Sequence, residues 1–203
     1  RYVLECFNED EQTRRAIITI GDPMKDDFDT NHHLKKTLDV PCTRQLHFMR
    51  DASDNKLNLV VSMRSNDMLW GASAVNIFNF TFMQEYFAAM LNMEIGSYFH
   101  IANNFHFYED KSDMVEQIAS SGIVDDNPYT YRKTFKNLYE FDALVKTLSD
   151  EETKMRLQQC DYRYYEFDDP FFRDWYNVIF AANLSKEVEF VNPQLKNLKF
   201  KIR

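Results

Sequence analysis

Residues 41–67, PCTRQLHFMRDASDNKLNLVVSMRSND, decide how this chain folds. Leu57, Leu59, Val61 and Met63 alternate with Asn58, Val60, Ser62 and Arg64, the period-two pattern of a strand with one buried face. Residues 42–50 form a similar run, and Asp51-Ala52-Ser53-Asp54-Asn55 between the two is a polar turn sequence. The simplest reading is a hairpin. Its first strand begins where the second ends, so Cys42 and Arg64 stand at the same end. A thiolate is a nucleophile, and cationic neighbours such as Arg44 and Arg64 favour it over the thiol. Arg64-Ser65 adds a forked guanidinium and a hydroxyl, both suited to a phosphate monoester. Each residue also has a plainer reading: Cys42 as an inert core cysteine, Arg64 as a strand-end partner of Asp67 in a salt bridge.

Working outward, residues 1–12 place Tyr2, Val3, Cys6 and Phe7 on one helical face. The basic pair Arg14-Arg15, otherwise a solvated charge pair, leads into a β-branched strand, Ala16–Ile20, stopped by Gly21-Asp22-Pro23. Residues 22–39 read as a loop with one short helical turn. From Ile77 to Met93 the chain is apolar and free of Gly and Pro, too long for a strand, and predicts a buried helix ended by Gly96. Asn76 stands at its start, either as an N-cap or as an amide able to read the imide edge of a uracil ring. Phe99–Ala102 and Phe105–Tyr108 read as further strand. There His106 and Tyr108, at i and i+2, share a side and can touch a sugar hydroxyl or serve as polar-tipped packing. Beyond Asp110 the pattern predicts helices over 112–121, 134–148, 150–160 and 170–185.

Composition narrows the function classes. The 203 residues fit one domain with an appended lobe. A net charge of −8 opposes binding to nucleic-acid polymers but leaves room for a local phosphate pocket. Three cysteines, Cys6, Cys42 and Cys160, without a C-x-x-C pair fit a reducing, cytoplasmic chain. No apolar run reaches the ~20 residues that span a bilayer, and no secretory signal opens the chain, so no membrane association is expected. Adjacent His32-His33 would point oppositely on a strand and lack spaced partners, so no metal is expected. The stretch Tyr162–Asp169 is aromatic and acidic, which suits packing or an interface rather than nucleic-acid stacking.

Taken in order, Thr13-Arg14-Arg15-Ala16-Ile17-Ile18, Pro41-Cys42, Arg64-Ser65-Asn66-Asp67 with Gly71, Asn76-Ile77, Glu94–His100 and His106-Phe107-Tyr108 resemble the thymidylate synthase superfamily. That superfamily includes phage-type deoxypyrimidine hydroxymethylases, and the likeness runs from about Tyr2 to about Asp110. It implies an α/β (α+β) fold, with a large mixed, mostly antiparallel sheet backed by helices and a helical C-terminal part. Residues 1–110 would form the nucleotide-binding and catalytic core, and residues 111–203 a divergent part of the same domain.

The resemblance also implies roles. Cys42 would attack C6 of a pyrimidine nucleoside monophosphate, and C5 would take a one-carbon unit from 5,10-methylenetetrahydrofolate. Arg64 and Ser65 would hold the 5′-phosphate, with Arg64 beside the thiolate. Arg14 and Arg15 would reach the phosphate of the other subunit in a homodimer formed through the sheet's outer face. Asp67 would contact the folate and help order the catalytic site, Asn76 would read the base, and His106 and Tyr108 would bind the ribose hydroxyl.

Several departures shape the expectation further. Thr43 and His47 stand where synthases usually carry His and Gln, and Cys42-Thr43 with Arg64-Ser65-Asn66-Asp67 looks closer to the phage hydroxymethylases. Asn76 favours uracil, hence dUMP, because cytosine users tend to carry Asp there. Between Gly71 and Asn76 the chain holds one residue more than the family pattern. Lys199–Arg203 does not resemble the synthase tail that closes over the folate, and an open site admits water, favouring hydroxymethyl over methyl. The family's N-terminal region supplies a further phosphate arginine, a catalytic Glu and folate-contacting Trp residues. The chain starts at Arg1 rather than Met, and that part is expected to be missing. A non-catalytic nucleotide-binding or structural dimer of the same fold is the alternative. An unrelated cysteine hydrolase has no His/Asp pair at a recognisable spacing from Cys42.

Overall fold

The alternation in residues 43–63 becomes the centre of a sheet in the computed structural model, which describes residues 1–37, 40–122, 128–158 and 161–197. Strands β1 (Ile17–Thr19), β2 (Thr43–Asp51) and β3 (Lys56–Met63) pair antiparallel in that order. After the short β4 (Asn66–Asp67), strand β5 (Glu94–Ala102) returns parallel to β3, and β6 (Phe105–His106) pairs parallel with β4. The four-stranded sheet β1-β2-β3-β5 is therefore mixed and mostly antiparallel, as expected, and β4 and β6 form a separate two-stranded sheet. Asn55, left-handed at φ 51°, closes the β2–β3 turn.

One sheet face is the core. Leu46, Phe48, Leu57, Leu59, Val61 and Met63 are buried from water. Helix α1 (Tyr2–Glu9) covers them with Val3, Cys6 and Phe7, and α3 (Asn76–Leu91) with Phe80, Phe87 and Ala88, each set at helical spacing. Each such side chain contributes about 1.5–3 kcal/mol by leaving water. Phe87 meets Phe48 edge to face, with ring centroids 4.8 Å apart. Buried Gln84 crosses from α3 to the sheet, its Nε2 donating to Leu57 O at 2.8 Å and approaching the carbonyls of Gly96 and Ser97.

Two expectations need correction here. The helix is buried along one stripe only, with Ile77 and Phe78 exposed. It is not ended by Gly96: it stops at Leu91, where Asn92 takes the left-handed conformation at φ 55°. Gly96 lies inside β5 at a register irregularity, where a Cβ would fall 2.2 Å from Asn58 Oδ1 and 2.9 Å from Leu57 O. Its lack of a side chain serves sheet packing, not helix termination.

The chain forms two compact units, Arg1–Ile123 and Val124–Arg203. The first also contains α2 (Pro23–Asp26), capped by Asp22, and α4 (Ser112–Ser120). The second is helical, with α5 (Leu138–Leu157) and α6 (Pro170–Leu184). Residues 134–148 and 150–160 are thus not two helices. Phe141, Leu148, Glu151 and Met155 make one continuous buried stripe, while Ser149 and Asp150 sit on its exposed side. Tyr162 and Phe167 of the aromatic-acidic stretch pack inside this unit beside Tyr176 and Phe180. Among the described residues no helix is long and apolar enough to cross a membrane. Cys160 and the segment Lys199–Arg203 lie outside the described residues.

Candidate active site

Antiparallel pairing continues past the hairpin ends, and this extension builds the site. The Arg64 N–H donates to Cys42 O at 2.9 Å. The Arg64 guanidinium then turns back over the segment entering the cysteine: Nη2 donates to Val40 O at 2.8 Å and Nε to Pro41 O at 3.3 Å. Arg64 therefore holds the backbone that carries Cys42 and keeps its remaining donors for another partner. No ion pair joins Arg64 to Asp67 among the described residues. The Cys42 thiol is half-buried and unbridged, with Sγ 4.0 Å from Val40 O.

Arg44 completes this cationic corner. Its guanidinium lies over Gly21, where a Cβ would come within 2.5 Å of Arg44 Cζ. Arg44 makes no side-chain hydrogen bond or ion pair among the described residues. Arg44, Arg64, Thr37, Val40, Asn103 and Asp27 line a cavity of about 560 Å³, within the range of small-molecule sites. The sequence marks Arg44 only as a neighbour of the thiol, and its stacking on a glycine from another strand end leaves no local signal.

Beyond β3 the chain folds against β6. Asn66 pairs with Phe105 and Asp67 with His106. Ser65 Oγ comes within 3.5 Å of His106 Nδ1, and the His106 and Tyr108 rings meet edge to face at 5.4 Å. Strand structure ends at His106 rather than running to Tyr108, yet the two side chains still approach. One Asp67 oxygen accepts the Trp70 N–H and so caps the turn that follows.

The turn that leads to Asn76 is wider than an α-helical one. Met68–Val75 is π-helical, and the Asn76 N–H donates to Gly71 O five residues back. A wider turn absorbs one residue without breaking into α3. Asn76 is consequently not a helix cap; the helix continues through it. Its Nδ2 donates to Asn66 Oδ1 at 2.9 Å. Asn66 Nδ2 lies 2.7 Å from His100 Nε2, and His100 Nδ1 lies 2.7 Å from Tyr98 OH. Burial lowers the His100 pKa and raises that of Tyr98 to about 12. The sequence alone assigns no separate role to Asn66, His100 or Tyr98. Their one signal is the period-two placing of Tyr98 and His100 on one strand face.

Arg14 and Arg15 do not reach this site within one chain. The register Ile17↔His47 sets Arg15 near Met49, at the far end of β2 from Cys42, roughly 20 Å away at strand spacing. Both are exposed, and their guanidinium groups make no ion pair among the described residues. His47 points to the other sheet face, in a cross-strand row with Ile17, Val60 and Phe99. Its buried Nε2 has no hydrogen-bond partner among the described residues.

The sheet thus brings a tethered cysteine and a pair of arginines to one end, with both arginines lining one cavity. Comparison with known proteins narrows the class. The thymidylate synthase family profile matches residues 1–159. A deoxyuridylate hydroxymethyltransferase of Pseudomonas phage M6 is 32% identical over 178 residues, covering 84% of this chain and 47% of its own length. One from Bacillus phage SP01 is 30% identical over 185 residues, covering 79% and 46% respectively. A thymidylate synthase of Streptococcus pyogenes is 27% identical over 128 residues, covering 62% of this chain and 43% of its own. The chain belongs to the thymidylate synthase family. It spans about half the length of the curated relatives it matches.

Proposed function

We propose that this chain carries the nucleotide-binding core of an enzyme that transfers a one-carbon unit to C5 of dUMP. The observation that carries the proposal is the tie between Cys42 and Arg64, which lines one cavity together with Arg44. Arg44 and Arg64, with Ser65, hold the dianionic 5′-phosphate. Cys42, as thiolate, adds to C6 of the uracil, and the electron pair of the C5–C6 double bond moves toward C5 and O4. Asn76 meets the imide edge of the ring, and His106 and Tyr108 meet the sugar hydroxyl.

5,10-Methylenetetrahydrofolate supplies the one-carbon unit as co-substrate. Asp67 keeps Oδ2 outside any hydrogen bond among the described residues, an acceptor that suits the N–H groups of a pterin. The stronger likeness to the phage proteins favours water rather than hydride as the final partner of that carbon, giving a hydroxymethyl group. Nucleotide chemistry through a free thiol suits the cytoplasm.

A second copy of the chain supplies Arg14 and Arg15. Phe99 and Ile101 are 50% and 49% exposed on the outer sheet face, beside the unpartnered His47 nitrogen, and a homodimer through that face covers all three. A monomer at micromolar concentration would refute the shared site.

The central test uses the full-length protein with a 5-fluorinated deoxyuridine monophosphate and methylenetetrahydrofolate. The expected result is an adduct that survives denaturation and is absent in Cys42→Ala. No adduct overturns the mechanism. Nucleotide-dependent thermal stabilisation without adduct or turnover supports instead a non-catalytic nucleotide-binding dimer. Product analysis separates the two outcomes at C5, since methyl formation also releases dihydrofolate.

A further inference from the structure

An amide reads a base only when its oxygen and nitrogen ends are held apart from one another, because the two ends are nearly the same shape. Asn76 is tied at one end to Asn66, which is 3% exposed. Asn66 uses its oxygen to accept from Asn76, so its nitrogen donates to His100 Nε2. An accepting Nε2 carries no hydrogen, which places the ring proton on Nδ1, facing Tyr98 OH. The directions of all three links depend on one another.

We propose that Asn66, His100 and Tyr98 form a relay that fixes the Asn76 amide with Oδ1 turned to the ligand, and that this relay sets the preference for a uracil over a cytosine edge. The inference rests on Asn76 being the base-reading residue.

Three features hold the relay in this direction. Met63 Sδ lies 3.9 Å from Asn76 Nδ2, and a thioether accepts weakly but donates nothing, so it favours the nitrogen end. Gly71 makes the space: a Cβ there would fall 1.9 Å from Asn66 Oδ1 and 3.0 Å from Asn76 Nδ2. The backbone of the same glycine accepts the Asn76 N–H, so the π-helical turn and the amide pair are registered on one residue. Burial of His100 further favours the neutral ring that an accepting Nε2 requires.

The consequence is a defined pattern. Asn76 Oδ1 makes no hydrogen bond among the described residues, and the second N–H of Nδ2 faces only Met63 Sδ. Uracil offers N3–H beside O4, the complement of that acceptor and donor. Cytosine offers an unprotonated N3 beside an amino group, the reverse. Accepting cytosine needs the Asn76 amide to turn over. Its oxygen would then face Asn66 Oδ1, and the conflict would pass to His100, whose proton must change nitrogen. Asn66 and His100 are thus positioning residues that act through Asn76.

Two measurements test this. The first is ¹⁵N NMR of the His100 ring in the nucleotide-free full-length protein. It should show Nδ1–H with Nε2 bare, a pattern lost in Asn66→Leu; Nε2–H in the parent overturns the relay. The second is calorimetric binding of dUMP and dCMP to the parent, Asn66→Leu, His100→Phe and Asn66→Asp. The dUMP-to-dCMP affinity ratio should fall about tenfold or more in the Leu and Phe variants, the scale of one two-point base contact. The Asn66→Asp variant, whose new carboxylate oxygens only accept, should retain most of the parent ratio. An unchanged ratio in folded His100→Phe, or equal weakening of both nucleotides in both variants, overturns the proposal. If the parent binds neither nucleotide, the base-reading role fails, while the ring tautomer still decides the relay.

Discussion

In the Val124–Arg203 unit, buried Asp174 accepts from Tyr131 OH and from the Val191 and Asn192 N–H groups. Buried Asp169 likewise accepts from Phe171 and Phe172 N–H and from both the N–H and hydroxyl of Thr134. Glu151 takes Tyr162 OH and Lys154. In the Arg1–Ile123 unit the half-buried polar chain Tyr98–His100–Asn66–Asn76 ends on an oxygen with no partner among the described residues. Arg44 and Arg64, at the cavity, also keep unused donors. Both units bury polar groups, and the first also leaves buried His47 Nε2 without a hydrogen-bond partner among the described residues. What separates them is capacity left over. A saturated network fixes a scaffold, and one with a free end can meet a ligand.

Substitutions in each unit should separate the two kinds of network. The largest effect is expected at Cys42→Ala, which should abolish the covalent adduct while leaving denaturant stability nearly unchanged; a strongly destabilised variant would return Cys42 to the core. Next, Asp174→Ala should cost about 3 kcal/mol or more, because it strands buried donors, as read by urea unfolding. Nucleotide affinity should not move, and if it does, the saturated unit is not merely a scaffold. Arg44→Gln should weaken binding of a nucleoside monophosphate by about tenfold, the scale of a hydrogen bond to a charged group, and leave the unphosphorylated nucleoside unaffected. The smallest effect concerns pH. Burial lowers the His100 pKa below its ordinary value of 6.5, so the unfolded chain takes up the proton first as pH falls. The contribution of the neutral ring is full above that value and declines as pH drops through the lowered one. His100→Phe should flatten this part of the stability profile.

Much of the sheet is legible because alternation and turn chemistry are local: Leu57, Leu59, Val61 and Met63 announce the hairpin without help from distant residues. The meeting of Cys42 with Arg64 follows from it. The long helix of the second unit reads as two because Ser149-Asp150 resembles a break, whereas these residues lie on the exposed side and Lys146 pairs with Asp150 one turn away. Gly96 misleads for a different reason, since its cause is the side chain of Asn58 on a neighbouring strand. The amide relay is out of reach of pattern alone. It depends on a π-helical turn and on side chains from β4, β5 and α3 meeting over a glycine.

That glycine has a consequence for how the sequence can drift. A side chain at position 71 has no room while an amide stands at 66, and Asn76 loses its bonding partner once that amide is gone. Positions 66, 71 and 76 are therefore linked by contact, so that a change at one of them is felt by the other two. On the proposed base-reading role of Asn76, a change at any one of the three is expected to disturb the choice of base, so substitutions across the trio test that preference more sharply than Asn76 taken alone.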